Sequence, residues 1–193
     1  MLSRFFVFLS LVVFSVSAYA SDDVTEWDLV TDRSQIDISY EAEGYAGHGV
    51  LKGLQGDIKF STEALDKSFV TIHIPMSTLR LDSLEYTRIA KESDWFDLEK
   101  HALAVFQASH FEAVEGEEHS YVAKGILTIK GVSQFIDLPF SLKFSEDGEH
   151  VMMTSETSIQ RSAYQVGVGQ WSDTKTVADD VGLKIQVRAV RKK

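Results

Sequence analysis

From Trp27 onward the chain alternates between apolar and polar positions. Ile36, Ile38 and Tyr40 are interleaved with Asp37 and Ser39, and Val70, Ile72 and Ile74 with Thr71 and His73. Tyr121, Ala123, Gly125, Leu127 and Ile129 alternate with Lys124, Thr128 and Lys130, although Val122 and Ile126 blur the polar side. Ile136, Leu138, Phe140, Leu142 and Phe144 continue the pattern, as do Val181, Leu183, Ile185, Val187 and Ala189. Successive side chains of a strand point to opposite faces, so each run predicts a strand with one apolar and one wet face. With less regular runs near 50–60, 105–111 and 151–159, the pattern predicts about eight strands in an antiparallel, all-β chain.

The segments between the runs agree. Glu115-Gly116-Glu117-Glu118 and Glu146-Asp147-Gly148-Glu149 have turn composition. Pro139 has no N–H to give a ladder and so predicts an edge or a bulge inside its run. One helix is expected, over Asp82–Lys91, capped by Asp82 or Ser83. Residues 167–180 read as an irregular loop before the last strand. No linker or repeat divides the chain. Each apolar face must be closed on something, and a two-sheet sandwich or a closed barrel would serve. About eight strands make a barrel that is either filled by side chains or holds one small ligand. Periodicity does not separate these outcomes.

The first twenty residues break the pattern. Arg4 precedes a short apolar stretch, Phe5–Phe14, and Ala18-Tyr19-Ala20 has the small-x-small form of a cleavage site. A stretch this short suits a cleaved secretory signal better than a span, which takes ~20 apolar residues. Removing those twenty residues and their one charge from a 193-residue chain of net charge −10 leaves residues 21–193 as one domain carrying −11. The expected location is the periplasm, with no integral membrane span in the mature chain. An acidic excess of that size argues against nucleic acid, whose phosphates need a basic surplus. It argues equally against adhesion to anionic lipid. There is no cysteine, which removes disulfides and thiolate chemistry.

Candidate chemistry is sparse. The six histidines (His48, His73, His101, His110, His119 and His150) include no pair spaced for a helical zinc site. His48 and His73 would meet only if their strands were neighbours. No P-loop, nucleophile elbow or dinucleotide fingerprint is present, and neither a cofactor nor a metal is expected. Gly44, Gly47, Gly49, Gly53 and Gly56 read as bends or bulges. Asp94 and Asp97, on either side of Trp95, read as holding the backbone N–H groups of their own loop.

Four stretches in this order resemble the YceI family of exported bacterial proteins: Ser93–Glu112 with Trp95-Phe96-Asp97, Tyr121–Phe144 with Leu127-Thr128-Ile129-Lys130-Gly131-Val132, Ile159–Trp171 with Arg161-Ser162-Ala163-Tyr164, and Val177–Val190. The chain departs from the family's usual Tyr-Pro at His101-Ala102, from its aspartate at Ala163 and from its His-Ser at Gln35-Ile36-Asp37. The resemblance implies a lipocalin-like, eight-stranded antiparallel β-barrel with one short helix between strands. It further implies a non-catalytic carrier that binds or sequesters a long-chain isoprenoid lipid (isoprenoid quinone or prenyl phosphate) or a similar amphiphile. It also allows a homodimer.

On that reading the inward residues expected against the ligand are Ile38, Tyr40, Ile72, Phe106, Leu127, Phe140, Leu142 and Ile159. Without the resemblance the same residues read as an ordinary core. Trp95, Phe96 and Trp171 would fringe the mouth or cap the barrel end. Arg161, beside Tyr164, would pair with a ligand phosphate or tie the last loops to Asp173, Asp179 or Asp180. Two alternatives remain: an enzyme acting on a lipid-like substrate through His101, Asp94 and Arg161, and a ligand-free stress-response interaction module with a filled core.

Overall fold

The computed structural model describes residues 24–193, so the expected signal, residues 1–20, lies outside the described residues. The alternating runs become β1 (Glu26–Leu29), β2 (Gln35–Ala42), β3 (Tyr45–Lys52), β4 (Gln55–Lys59), β5 (Phe69–Pro75), β6 (Arg80–Leu81), β7 (Leu103–Ala113), β8 (Ser120–Ile129), β9 (Val132–Phe144), β10 (His150–Gln160) and β11 (Asp180–Arg191). Eleven strands still make eight passes of the chain. A single 3-10 turn at Thr31–Arg33 separates β1 from β2, Gly53 and Leu54 separate β3 from β4, and Met76–Thr78 separates β5 from β6. The helix α1 is shorter than expected, Leu84–Ile89, with Ser83 as its N-cap accepting from the Tyr86 N–H.

All the pairings are antiparallel. The ring runs β1, β4, β5, β7, β8, β9, β10, β11 and closes where β11 returns to β1, with Trp27 opposite Arg191 and Leu29 opposite Ala189. Farther along, β11 pairs instead with β2, Ile185 lying opposite Ile36, and β3 and β6 extend that wall beyond the ring. This is the eight-stranded barrel that the resemblance implied. One end gathers the β2–β3 turn, α1, the Lys130-Gly131 turn and residues 161–179. The other gathers the turns that follow β4, β7 and β9.

Alternation places the side chains as predicted on β8, where Tyr121, Ala123, Gly125, Leu127 and Ile129 are all buried. On β7 the parity changes partway. Ala108 faces Gly125 but His110 faces Lys124, so one extra residue is bulged. Ala104, Phe106 and Ala108 point inward before the bulge and Phe111 after it. A Cβ on Gly125 would fall 2.7 Å from the Phe106 ring, so the glycine makes room for it. Pro139 lies opposite Val122 on β8. There β9 has no partner on its other side, because β9 and β10 pair only over Ser141–Phe144 and Val151–Thr154. The edge that proline required is this slit. His48 and His73 are not brought together: His48 pairs with Ser39, and His73 with Gln55 and Val105.

One end of the barrel is filled. Phe60 meets Phe111, Tyr121 and Phe140 edge-on at centroid distances of 5.2, 5.5 and 5.9 Å. The Trp27 indole N–H donates to the Phe60 carbonyl at 2.9 Å, joining this plug to the strand that closes the ring. Phe60→Ala should therefore lower the free energy of unfolding by about 3–5 kcal/mol, measured from denaturant midpoints, with the strand signal in circular dichroism retained.

Candidate functional site

Above the aromatic plug the barrel is hollow. Ile36, Phe106 and Leu127 are buried, but Ile38, Ile72, Leu142, Ile159, Leu183 and Ile185, on the same inner face, are only half-buried. They line an apolar lumen of about 600 Å³. A core close-packed to ordinary density would leave no such space. The volume falls within the ~300–1,000 Å³ typical of small-molecule sites.

All thirteen residues singled out from the sequence line this lumen. Ile38 and Tyr40 come from β2, Ile72 from β5, Phe106 from β7, Leu127 from β8, Phe140 and Leu142 from β9, and Ile159 from β10. Trp95 and Phe96 come from the segment between α1 and β7. Arg161 and Tyr164 come from the 3-10 turn Arg161–Tyr164, and Trp171 from the turn Gly169–Trp171. Sequence reasoning passed over the inner face of β11 (Leu183, Ile185 and Val187) as ligand wall, although its alternation was plain. It also missed Glu43, Glu85, Tyr86, Ile89, Thr176 and Val177, which border the opening. These lie on a hairpin tip, a short helix and a loop, where no periodicity marks a face.

Arg161 does tie down the last loops, but through main-chain carbonyls and not through Asp173, Asp179 or Asp180. It is 5% exposed, and its guanidinium spends its donors on backbone carbonyls. Nε donates to Ala178, Nη1 to Val166 and Gly167, and Nη2 to Trp171 and Val177, at 2.7–3.0 Å. The Asp179 carboxylate accepts instead from the N–H and hydroxyl of Ser162. Asp173 takes the Lys175 N–H. The carbonyls that Arg161 gathers all belong to residues 166–178, so this one side chain holds the loop over the barrel end. Burial pushes its guanidinium pKa down, opposed by the Asp179 charge. Its cation lies over the Trp95 ring at 5.6 Å, and Trp95 meets Trp171 at 5.7 Å. The Trp95 indole N–H is buried without an acceptor among the described residues.

Asp94 and Asp97 also act differently from expectation. The main-chain carbonyl of Asp94 accepts from the Gly167 and Val168 N–H groups, and the Asp97 carboxylate takes Lys100 Nζ at 2.9 Å. Neither Asp94 nor His101 lines the lumen. The three groups of the enzymatic alternative therefore do not converge there.

The mouth is fastened by a second cluster. The Tyr40 hydroxyl donates to Asp82 Oδ1 at 2.7 Å, and the His48 N–H donates to Oδ2 at 3.0 Å. Tyr40 lies flat across the strand because its cross-strand neighbour is Gly47, whose missing Cβ leaves space for the phenol ring. Burial first, and the Asp82 bond second, raise the Tyr40 pKa well above its ordinary value. Asp82 is held below the carboxylate range, by the His48 N–H most and by Tyr40 next. On the other edge of β2, Val177 bridges to Ala42, and the Glu43 N–H donates to Thr176. Among the described residues no helix is long and apolar enough to cross a membrane.

A model of the YceI-like domain matches residues 27–189. The fold is similar to three solved structures. Burkholderia cenocepacia BcnA is 26% identical, with a TM-score of 0.77 over 84% of this chain and 100% of that one. A polyisoprenoid binding domain from Saccharophagus degradans, implicated in plant cell wall breakdown, is 11% identical, with a TM-score of 0.71 over 88% and 99%. The Campylobacter jejuni YCEI protein is 21% identical, with a TM-score of 0.63 over 75% and 84%. No curated protein matches the chain.

Two measurements check this geometry. Arg161→Met orphans five carbonyls and should cost at least about 3 kcal/mol of stability, read by urea unfolding. A depressed carboxylate adds stability that is full above its unfolded pKa and is lost as pH falls through its folded one. In Tyr40→Phe the Asp82 titration, followed by NMR, should move upward toward the ordinary range while staying below it, because the His48 N–H remains.

Proposed function

Because this chain belongs to the YceI family, we propose that it is a non-catalytic periplasmic carrier for a long-chain isoprenoid lipid or a similar amphiphile, held in the barrel lumen. The observation that carries this reading is the set of inward aliphatic side chains left half-buried around a continuous apolar space. Each methylene moved from water into such a space is worth ~0.8 kcal/mol, so an isoprenoid tail supplies the binding energy without a polar anchor. The polyisoprenoid binding named for the Saccharophagus degradans domain, which shares the fold, supports an isoprenoid guest. Export, as the N-terminal sequence pattern suggests, would put the carrier where such lipids must cross water.

Within the isoprenoid class a quinone suits the site better than a prenyl phosphate. The cation in the lining, Arg161, has no donor left for a phosphate. The Trp95 N–H has no acceptor and sits where a quinone carbonyl would supply one. Catalysis has no support from the lining, since His101 and Asp94 stand outside it.

Protein purified without detergent should release a long-chain isoprenoid, identified by native mass spectrometry and lipid extraction. Ile72→Trp, which grows into the lumen, should weaken binding of a quinone analogue by roughly tenfold or more, equivalent to at least ~1.4 kcal/mol. Its denaturation midpoint should stay near that of the parent. An extract without lipid, together with no binding of the analogue, would overturn the reading.

A further inference from the structure

Apart from the fully engaged Arg161, the charged residues that line the lumen are of one sign. Glu43, at the tip of the β2–β3 hairpin, and Glu85, in the first turn of α1, both line the opening and are exposed. Neither carboxylate has an ion-pair or hydrogen-bond partner among the described residues. The Glu43 backbone is fixed in the left-handed region (φ 53°) and tied to the Thr176 carbonyl, so its carboxylate stays at the rim. Asp82, which accepts from the Tyr40 hydroxyl, adds a third carboxylate three residues before Glu85, and Tyr86 presents a half-exposed ring beside Glu85. The one cation in the lining, Arg161, lies over the Trp95 ring with every donor given to a carbonyl. Arg88 on α1 is held by Glu92 at 2.7 Å, and Lys91 and Lys175, next to lining residues in sequence, do not themselves line the opening.

From this juxtaposition of an apolar lumen and an unpaired acidic, aromatic rim, we propose that the barrel takes cationic amphiphiles, their alkyl tail in the lumen and their amine or quaternary ammonium head between Glu43 and Glu85, and that it discriminates against anionic heads. The proposal rests on the lumen being a binding site for long apolar tails. A cation at the rim gains from two carboxylates and from the face of a tyrosine ring. An anion there meets like charge, and such repulsion is an effective means of selectivity. A neutral head falls between, its affinity set by the tail. The attraction is solvent-exposed, so salt should weaken it.

The test uses probes that share one tail: dodecyltrimethylammonium, dodecanol and dodecyl phosphate, each below its aggregation limit, displacing N-phenyl-1-naphthylamine from the protein at low salt. The expected order is cation, alcohol, phosphate, with roughly tenfold between the ends, a modest difference for exposed charge pairs. Replacing both rim carboxylates (Glu43→Gln with Glu85→Gln) should collapse the gap between cation and anion and leave the alcohol unchanged. Removing two exposed carboxylates at the other end (Glu115→Gln with Glu146→Gln) should leave the gap intact. Three results would each overturn the proposal: phosphate binding as tightly as ammonium, a gap that survives the rim variant, or a gap that the distant variant erases equally. If none of the probes displaces the fluorophore, dodecanol included, the lumen reading itself fails. Displacement by dodecanol with no preference by charge sinks the charge selectivity alone.

Discussion

The architecture depends on ring closure through β11. This strand is paired with β10 along its whole length, and its other edge is shared between β1 and, farther on, β2. An open sheet of this size would need a second layer to cover its apolar face. Once closed, the sheet covers itself, and its inner side chains need only tile a wall. That is why an interior can stay vacant without exposing its apolar lining to bulk water, and why the strand edges do not compete for partners. Trp27 strengthens the junction: it stands on the closing strand, donates to Phe60 and packs near Phe144 at 6.0 Å.

The vacancy is graded along the axis. Phenylalanine and tyrosine rings fill one end, where Phe60, Phe111, Tyr121 and Phe140 meet. Toward the other end the inner faces of the strands carry mainly isoleucine, leucine and valine, which do not reach across. The wide end is then roofed by a loop that buries Tyr164 and Val166 together with several main-chain carbonyls. Arg161 compensates by acting as an internal solvent for carbonyl groups that would otherwise be buried unpaired. A charge so deeply placed is usually costly. Here the carbonyl dipoles replace water around it.

Much of this was legible in the residues. Period-two alternation located the strands and chose their inner faces, because a buried face tolerates few polar side chains, and the lining residues drawn from it all face the lumen. Four things were not legible. The bulge on β7 reverses parity between Ala108 and His110, and nothing in the local composition of Ala108-Ser109-His110 announces it. The partners of Arg161 are main-chain atoms, which every residue possesses, so acidic side chains drew attention that belonged to the carbonyls of residues 166–178. The rim residues Glu43 and Glu85 looked like ordinary surface charge until the fold placed them around an opening. Whether the inner face was packed or vacant was likewise a property of barrel circumference, which alternation does not encode.

The slit between β9 and β10 bears on the size of what the vessel can hold. The β10–β11 seam is laced from end to end, whereas β9 and β10 are joined only beside their connecting turn. Above that short join the wall is a flap, tethered at the top where Gln134 reaches the Ala163 carbonyl and Lys130 the Gln165 carbonyl. A wall cut in this way can spread without breaking a ladder. Widening for a bulkier occupant would therefore cost two side-chain tethers rather than the fold.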